Sequence, residues 1–449
     1  MPHLENKREF LKFILLVGDV LLMYSALLLT LAVRYGDFSF LPGPQTRVFL
    51  YHFSFISLFW LLFLFILDFY EIPPFRRVYD FFKNLLIFIF LAGAFGVAYF
   101  YLRPQSIIAP KTILILDLVI FSVFLCGWRY IVSRILKLQN FKEKIVLIGS
   151  QSEIKDLPLD LLEQNGYKMV ASFNHDSSLE ISKLKEIIEK EKVNSVVFAL
   201  NSQRNEDLVK QIFSNLPLRL NFISFPSFYE SVTKKVPLEA IDEFWFLENL
   251  SRSEKRIEEM LKRGFDILFS FVGLLITAIL FPFIALAIKI DSPGSIFYSQ
   301  KRVGKDRKVF TLYKFRTMKE DLNRDKELWR EKDPSQITRV GKFLRRIHLD
   351  EFPQFWSILK GDLSFVGPRP EWEKLTRIFE KEIPFYSQRY LIRPGFTGWA
   401  QLNFPPSTSV EEAKEKLQYD FYYIKNRSFF LDLGIILKTA KIVLFAKGQ

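Results

Sequence analysis

Four apolar segments in the first third of the chain, each long enough to cross a bilayer, constrain its fold more than any other feature. They run from about Leu11 to Val33, Val48 to Tyr70, Leu85 to Leu102 and Thr112 to Leu136. A span needs about 20 apolar residues at about 1.5 Å each, in a helix, because lipid satisfies no backbone N–H or C=O. The pattern predicts four transmembrane helices within residues 1–140. The first, "MPHLENKREFLKFILLVGDVLLMYSALLLTLAV", starts with a basic flank like a signal peptide, but no small-residue cleavage site follows its apolar run, so it is expected to be retained. Lys7, Arg8 and Lys12, then Arg76, Arg77 and Lys83, then Arg134, Lys137, Lys142 and Lys144 fall on one side of these spans; Arg34, Arg47, Arg103 and Lys111 fall on the other. The positive-inside rule puts both ends of the four-helix unit in the cytoplasm.

The net charge of +13 is read in that setting. Beside membrane spans, a basic surface suits anionic lipid and phosphate-bearing substrates, and no Lys/Arg-rich tail suggests a nucleic-acid arm. The single cysteine, Cys126, excludes a disulfide framework, and His3, His52, His175 and His348 are too scattered for a zinc motif.

Next, "KIVLIGS" (Lys144 to Ser150), "SVVFAL" (Ser195 to Leu200) and "LRLNFIS" read as strands, separated by helical stretches such as "LEISKLKEIIEKEK". The alternation predicts a small doubly wound α/β domain over residues 141–250. Gly149 ends the first strand, but "GSQSEI" supplies only one glycine of a dinucleotide fingerprint, so the domain is expected to be structural or regulatory.

From Ser251 a basic amphipathic stretch runs into a fifth apolar run, Ile267 to Ile290, broken by Pro282. Two topologies fit. It crosses the membrane, or it kinks at the proline and returns to the same leaflet, as cationic residues at both ends suit.

The rest of the chain is rich in Arg, Pro and aromatics. Lys301, Arg302, Lys314, Arg316, Arg345, Arg346, Arg369 and Arg393 are candidates for binding a diphosphate, since guanidinium forks pair two phosphate oxygens at once. Among them, Asp350 and Glu351 precede Phe352, Phe355, Trp356 and Leu359, which recur at helical spacing before Gly361. A helix is predicted from about Asp350 to Lys360, with the carboxylate pair at its positive end. Either Asp350 is then an N-cap, or one carboxylate of the pair attacks a phosphorus while the other helps hold Mg²⁺.

Three stretches, "DSPGSIFYSQKRVGKDRKVFTLYKFRTM", "LDEFPQFWSILKGDLSFVGPRPE" and "RYLIRPGFTGWAQLN", resemble in order those of bacterial sugar transferases, the monotopic phosphoglycosyl transferases. The first two-thirds resemble the long-form members, with four transmembrane helices and a degenerate Rossmann-like domain ahead of a mainly α catalytic domain, here residues 251–449. The resemblance implies a re-entrant helix over about 257–290, bent at Pro282, although Phe281 stands where the family often has Ser. It implies that Asp350 is the nucleophile forming an acyl-phosphate, Glu351 its metal-associated partner and Arg345 a phosphate-binding arginine. Pro368, Arg369 and Pro370 would meet the donor's nucleotide and diphosphate, with Lys314, Arg316 and Arg393 as further substrate contacts. The implied activity is transfer of a sugar phosphate, from UDP-glucose or UDP-galactose ahead of an N-acetylated hexosamine, to undecaprenyl phosphate. It would release UMP with Mg²⁺ at the cytoplasmic membrane, in a chain that is a possible homodimer. Two other readings stand against it. A membrane-anchored nucleotide-sugar dehydratase or epimerase would need a glycine fingerprint and a Tyr-x-x-x-Lys pair, and the only such pair, Tyr79 and Lys83, lies between the predicted membrane helices. An inactive scaffold of polysaccharide assembly would not need Asp350, Glu351 and Arg369 together.

Overall fold

The computed structural model describes residues 3–36, 44–70, 78–102, 111–138, 143–149, 157–174, 181–198, 220–249, 256–319, 336–407 and 409–445. The chain forms two compact units, Met1–Val232 and Thr233–Gln449.

The first unit opens with α1 (His3–Tyr35), α2 (Pro44–Ile66), α3 (Val78–Tyr101) and α4 (Lys111–Leu138), where the apolar pattern predicts spans. Helix α2 stops at Ile66, short of the predicted Tyr70, because Asp68 turns the chain through a left-handed conformation (φ 62°). Leu15, Phe53, Trp60, Phe88 and Phe121 pack its core. Arg129 of α4 pairs with Asp19 of α1 at 2.6 Å, and both side chains are almost completely buried.

Strands β1 (Glu143–Gly149), β2 (Tyr167–Asn174), β3 (Ser195–Phe198) and β4 (Asn221–Ser224) form one parallel sheet, in the order β2-β1-β3-β4. Helix α5 (Ile181–Glu191) covers it with Leu184 and Ile188, which pack on Val146, Ile148 and Val196. Most of the turn after Gly149, where a dinucleotide fingerprint would lie, falls outside the described residues.

The second unit begins ahead of residue 250, where the composition shift puts the boundary. Val236, Leu238, Ile241 and Phe246 share a core with Phe379, Tyr386, Leu417 and Phe421. Burial of these side chains, not the later basic stretch, decides which unit owns the segment.

Among the described residues five helices, not four, are long and apolar enough to cross a membrane. The fifth is α6 (Arg256–Asp291), 36 residues with Pro282 inside it, about 54 Å long at 1.5 Å per residue. Ile257, Met260, Leu268, Leu275, Ile279, Phe283, Leu286 and Ile290 form an exposed apolar stripe along its whole length. Both of its ends engage the rest of this unit. Near the start, Arg263 donates to the carbonyls of Ile358 and Leu359, each at 2.7 Å. Near the end, Asp291 accepts from the backbone N–H of Val340 at 2.8 Å, and Ile284 and Ile288 pack on Phe315 and Leu344. Between them Gly273 lets α6 approach Phe355, where a Cβ would sit 2.5 Å from the ring.

The unit continues with the antiparallel hairpin β5 (Phe297–Val303) and β6 (Val309–Phe315), then α7 (Arg339–Arg346) and α8 (Gln354–Lys360). Strands β7 (Ser364–Val366) and β8 (Gly395–Thr397) pair in parallel, and α9 (Val410–Asn426) and α10 (Phe429–Phe445) follow.

Candidate active site

The site is built where β6, the end of α7 and the turn after β7 converge. Thr338 caps α7, accepting from the N–H of Gly341 at 3.0 Å, and His348 ends that segment in a left-handed conformation (φ 55°). A single 3₁₀ turn, Leu349–Glu351, follows, and α8 starts only at Gln354. This corrects the predicted helix from Asp350 to Lys360. Pro353 has no N–H to donate back to Leu349, so the α-helical ladder cannot run through it, and i→i+3 bonds such as Phe352 N–H to Leu349 C=O (3.2 Å) take its place. Asp350 is therefore not the cap of α8, whose N-cap position is Pro353 with no side-chain bond. The predicted stop at Gly361 holds, with φ 98°.

The two adjacent carboxylates have opposite surroundings. Glu351 receives the Lys314 ammonium as a hydrogen-bonded ion pair and the Arg369 guanidinium at 3.6 Å, both on Oε1. Burial pushes its carboxyl up, but Lys314 and Arg369 outweigh burial and hold it down at about 2. Asp350 is buried and makes no hydrogen bond or ion pair with a described residue. Burial and then the negative Glu351 push its pKa above the usual aspartate range, against the pull of Lys314, Arg345 and His348. The expected stabilisation of its anion by a helix dipole is outweighed.

Arg369 is held through its backbone. In the segment Pro368–Glu371 every carbonyl has a donor. Gly395 N–H reaches Pro368 (2.9 Å), Arg389 reaches Arg369 (2.9 Å), Arg302 reaches Pro370 (3.1 Å) and Val303 N–H reaches Glu371 (3.2 Å). Gly367 and Gly395 allow this backbone-to-backbone approach; a Cβ on Gly367 would lie 2.6 Å from the Arg393 carbonyl oxygen. The Arg369 side chain, 36% exposed, makes a long contact with Glu351.

The other predicted residues divide. Arg345 lies on α7, with Nε donating to Thr317 Oγ1 at 2.8 Å and its charge acting on Asp350. Arg393 is half-buried, and its side chain makes no hydrogen bond or ion pair with a described residue. Arg316 is not brought into the cluster: it is buried, donating to the carbonyls of Ser292 (2.7 Å) and Pro293, so it closes the turn after α6. Pro282 sits inside α6, and Phe281 beside it stacks on Phe297 (5.7 Å, 10°) and Phe315 (6.3 Å, 29°). The departure from serine at position 281 is thus filled by an aromatic stack that ties α6 to the hairpin bearing Lys314.

Sequence reasoning missed Arg389, Asp420, Glu371 and Lys416. Arg389 and Asp420 form a buried ion pair at 2.7 Å, and Lys416 pairs with Glu371 at 2.6 Å. The partners lie 31 and 45 residues apart, so no local spacing marks them. It also missed Lys262 of α6, which pairs with Asp432 of α10 and donates to the Val366 carbonyl at 2.9 Å.

Among the described residues no group of three or more His, Cys, Asp or Glu side chains is arranged for a metal. The donors present suit an ion held partly by substrate. The Asp350 carboxylate has no hydrogen-bond or ion-pair partner among the described residues, and both cations on Glu351 use Oε1, leaving Oε2. Mg²⁺ takes one or two carboxylates, completing its octahedron with phosphate and water, and this pair fits that demand.

The family model for bacterial sugar transferases matches residues 257–446, which hold every residue of this site. An exopolysaccharide production protein of Rhizobium leguminosarum bv. phaseoli is 39% identical over 186 residues, covering 40% of this chain and 93% of that protein. The chain belongs to the bacterial sugar transferase family. Within it, a UDP-N-acetylgalactosamine-undecaprenyl-phosphate N-acetylgalactosaminephosphotransferase of Aeromonas hydrophila is 40% identical over 192 residues, 43% of this chain and 45% of that one. An undecaprenyl-phosphate glucose phosphotransferase of Komagataeibacter xylinus is 27% identical over 337 residues, 72% of this chain and 63% of that one. The matched part of this family member thus spans less than two thirds of either of these longer relatives.

Proposed function

We propose that the chain transfers a sugar-1-phosphate from a UDP-sugar to undecaprenyl phosphate, releasing UMP, through an aspartyl-phosphosugar on Asp350. The observation that carries this reading is the unequal treatment of two neighbouring carboxylates: Glu351 is clamped by Lys314 and Arg369, while Asp350 is buried with no hydrogen bond or ion pair to a described residue. An unpaired, poorly solvated carboxylate is a competent nucleophile once ionised.

In the first half-reaction an Asp350 oxygen attacks the sugar-linked phosphorus. The bond from that phosphorus to the bridging oxygen breaks, and UMP leaves with the electron pair. In the second, a phosphate oxygen of undecaprenyl phosphate attacks the same phosphorus, freeing the Asp350 carboxylate and yielding the lipid diphosphate sugar. Arg369 and Arg393 would bind the donor diphosphate and Arg345 the transferred phosphate, with Pro368 and Pro370 fixing the direction from which Arg369 reaches. Lys314 keeps Glu351 ionised at its post. Mg²⁺, held by Glu351 and Asp350, would neutralise diphosphate charge and so aid departure of UMP.

Helix α6 supports the membrane part of the reading. Both of its ends are bonded to one compact unit while its apolar stripe is exposed throughout. A helix dipping into one leaflet and returning meets both conditions, and it keeps the site on the cytoplasmic face, where UDP-sugars are. The names of its relatives favour glucose or N-acetylgalactosamine among hexoses; on the sequence resemblance we place glucose or galactose first. The product would be the first lipid-linked unit of an exopolysaccharide, capsule or O-antigen. Purified protein in detergent, with polyprenyl phosphate, Mg²⁺ and a panel of UDP-sugars including UDP-N-acetylgalactosamine, should release UMP from one or two of them. Release from none would refute the proposal.

A further inference from the structure

Arg369 approaches Glu351 only at 3.6 Å, too long to fix its own guanidinium, so its position is inherited from its backbone. That backbone is gripped by charges on α9. Lys416 and Asp420, four residues and one turn apart on α9, face the same way. Lys416 pairs with Glu371 at 2.6 Å; Asp420 pairs at 2.7 Å with Arg389, whose same Nη2 donates to the Arg369 carbonyl at 2.9 Å. The other arm of Arg389 donates to Tyr386 Oη. One guanidinium therefore joins α9, the 3₁₀ segment Tyr386–Leu391 and the segment Pro368–Glu371 that bears Arg369, and Arg389, Asp420 and Tyr386 are all buried. Glu371 on the other side of Pro370 adds Arg302 at 3.9 Å. A buried ion pair gives little net stability over an apolar filling of the same space, so stability alone gives no reason for charges here. A fork that ends on a carbonyl of the donor segment is explained by positioning.

We propose that Arg389, oriented by Asp420, is a positioning residue that sets the reach of Arg369 toward the donor diphosphate. It touches no substrate itself, and the inference rests on the function proposed above. Lysine at 389 keeps the charge but cannot bond Tyr386, Asp420 and the Arg369 carbonyl in one plane.

The test compares Arg389→Lys and Asp420→Asn, each alone and combined with Arg369→Ala, reading kcat/KM for UMP release, KM for each substrate and the thermal midpoint. Each single variant is expected to lose about 10- to 100-fold in kcat/KM for the UDP-sugar, with KM for the lipid acceptor unchanged. In the Arg369→Ala background either change should add less than about twofold, because the group it positions is gone. Phe246→Leu, in the same core but with no hydrogen bond or ion pair to Arg389, Asp420 or the segment Pro368–Glu371 among the described residues, controls for loosened packing. Undiminished activity of Arg389→Lys, full additivity with Arg369→Ala, or an equal loss in a Phe246→Leu protein of matched midpoint would each overturn the inference. If the wild-type chain releases UMP from no UDP-sugar, the proposed function fails first and this inference falls with it; if the wild type is active and the losses are additive, only the positioning role fails.

Discussion

Each unit of the molecule buries an arginine–aspartate pair, and the two pairs end in different places. In the membrane bundle Arg129 and Asp19 close on each other, and Arg129 Nε and Nη1 have no hydrogen-bond partner among the described residues. That pair joins α1 to α4, with the Arg129 guanidinium over the Tyr70 ring at 5.5 Å, and ends within the bundle. In the second unit Arg389 meets Asp420 and then extends to the Arg369 carbonyl. A buried charge in hydrocarbon that ends on its partner serves as glue; one that continues to a loop carbonyl transmits position. The comparison separates holding the fold from aiming a side chain.

The largest effect that sharpens this contrast is at Asp350. Asp350→Asn should lower UMP release by at least about a thousandfold, as loss of a nucleophile does, with the thermal midpoint unchanged or raised, since a buried anion is removed. Next, Arg369→Ala should lower kcat/KM about a hundredfold, mainly by losing charge stabilisation of the diphosphate, measured as UMP release at subsaturating UDP-sugar.

The pH profile should come third. Asp350 must be ionised to attack, and its pKa lies above the usual aspartate range, so the rate should fall on acidification through a midpoint higher than an ordinary aspartate's. Glu351, held at about 2, stays ionised throughout that limb. A rate that stays flat down to the ordinary aspartate range would refute the raised Asp350 pKa.

Smaller effects on activity are expected in the bundle. Asp19→Asn leaves Arg129 buried and unpaired, which destabilises by about 3–5 kcal/mol, visible in the thermal midpoint in detergent. The rate per folded molecule should stay within about threefold of wild type. A collapse of activity with the bundle still folded would erase the distinction between the two pairs. Smallest of all, Phe281→Ser should remove one ring of the α6–hairpin stack, destabilising by about 1–3 kcal/mol with little change in kcat.

What sequence made legible follows from range. The apolar runs, the strands around Ile145 to Ile148 and the stop at Gly361 are written in consecutive residues, and the structure has them in place. Asp350, Glu351 and Arg369 are read together because they lie in one contiguous stretch, and the structure brings Arg369 to within 3.6 Å of Glu351. The start of α8 was misjudged because Pro353, tolerated in a first turn, still breaks the ladder just behind it. Arg316 is grouped with the phosphate-binding arginines by side-chain chemistry alone, which carries no sign of its bonds to the Ser292 and Pro293 carbonyls. The grip of Arg389, Asp420, Glu371 and Lys416 exists only after α9 folds against the donor segment, so no window of sequence contains it.

The central claim is a covalent bond to Asp350. Purified protein incubated with its UDP-sugar and Mg²⁺ but no lipid acceptor, then quenched in acid and measured by intact mass and peptide mapping, tests it directly. We predict a mass increase of one sugar phosphate on the peptide containing Asp350, matched by a burst of UMP and discharged on adding polyprenyl phosphate. UMP release that requires both substrates together, with no adduct on that peptide, would contradict it.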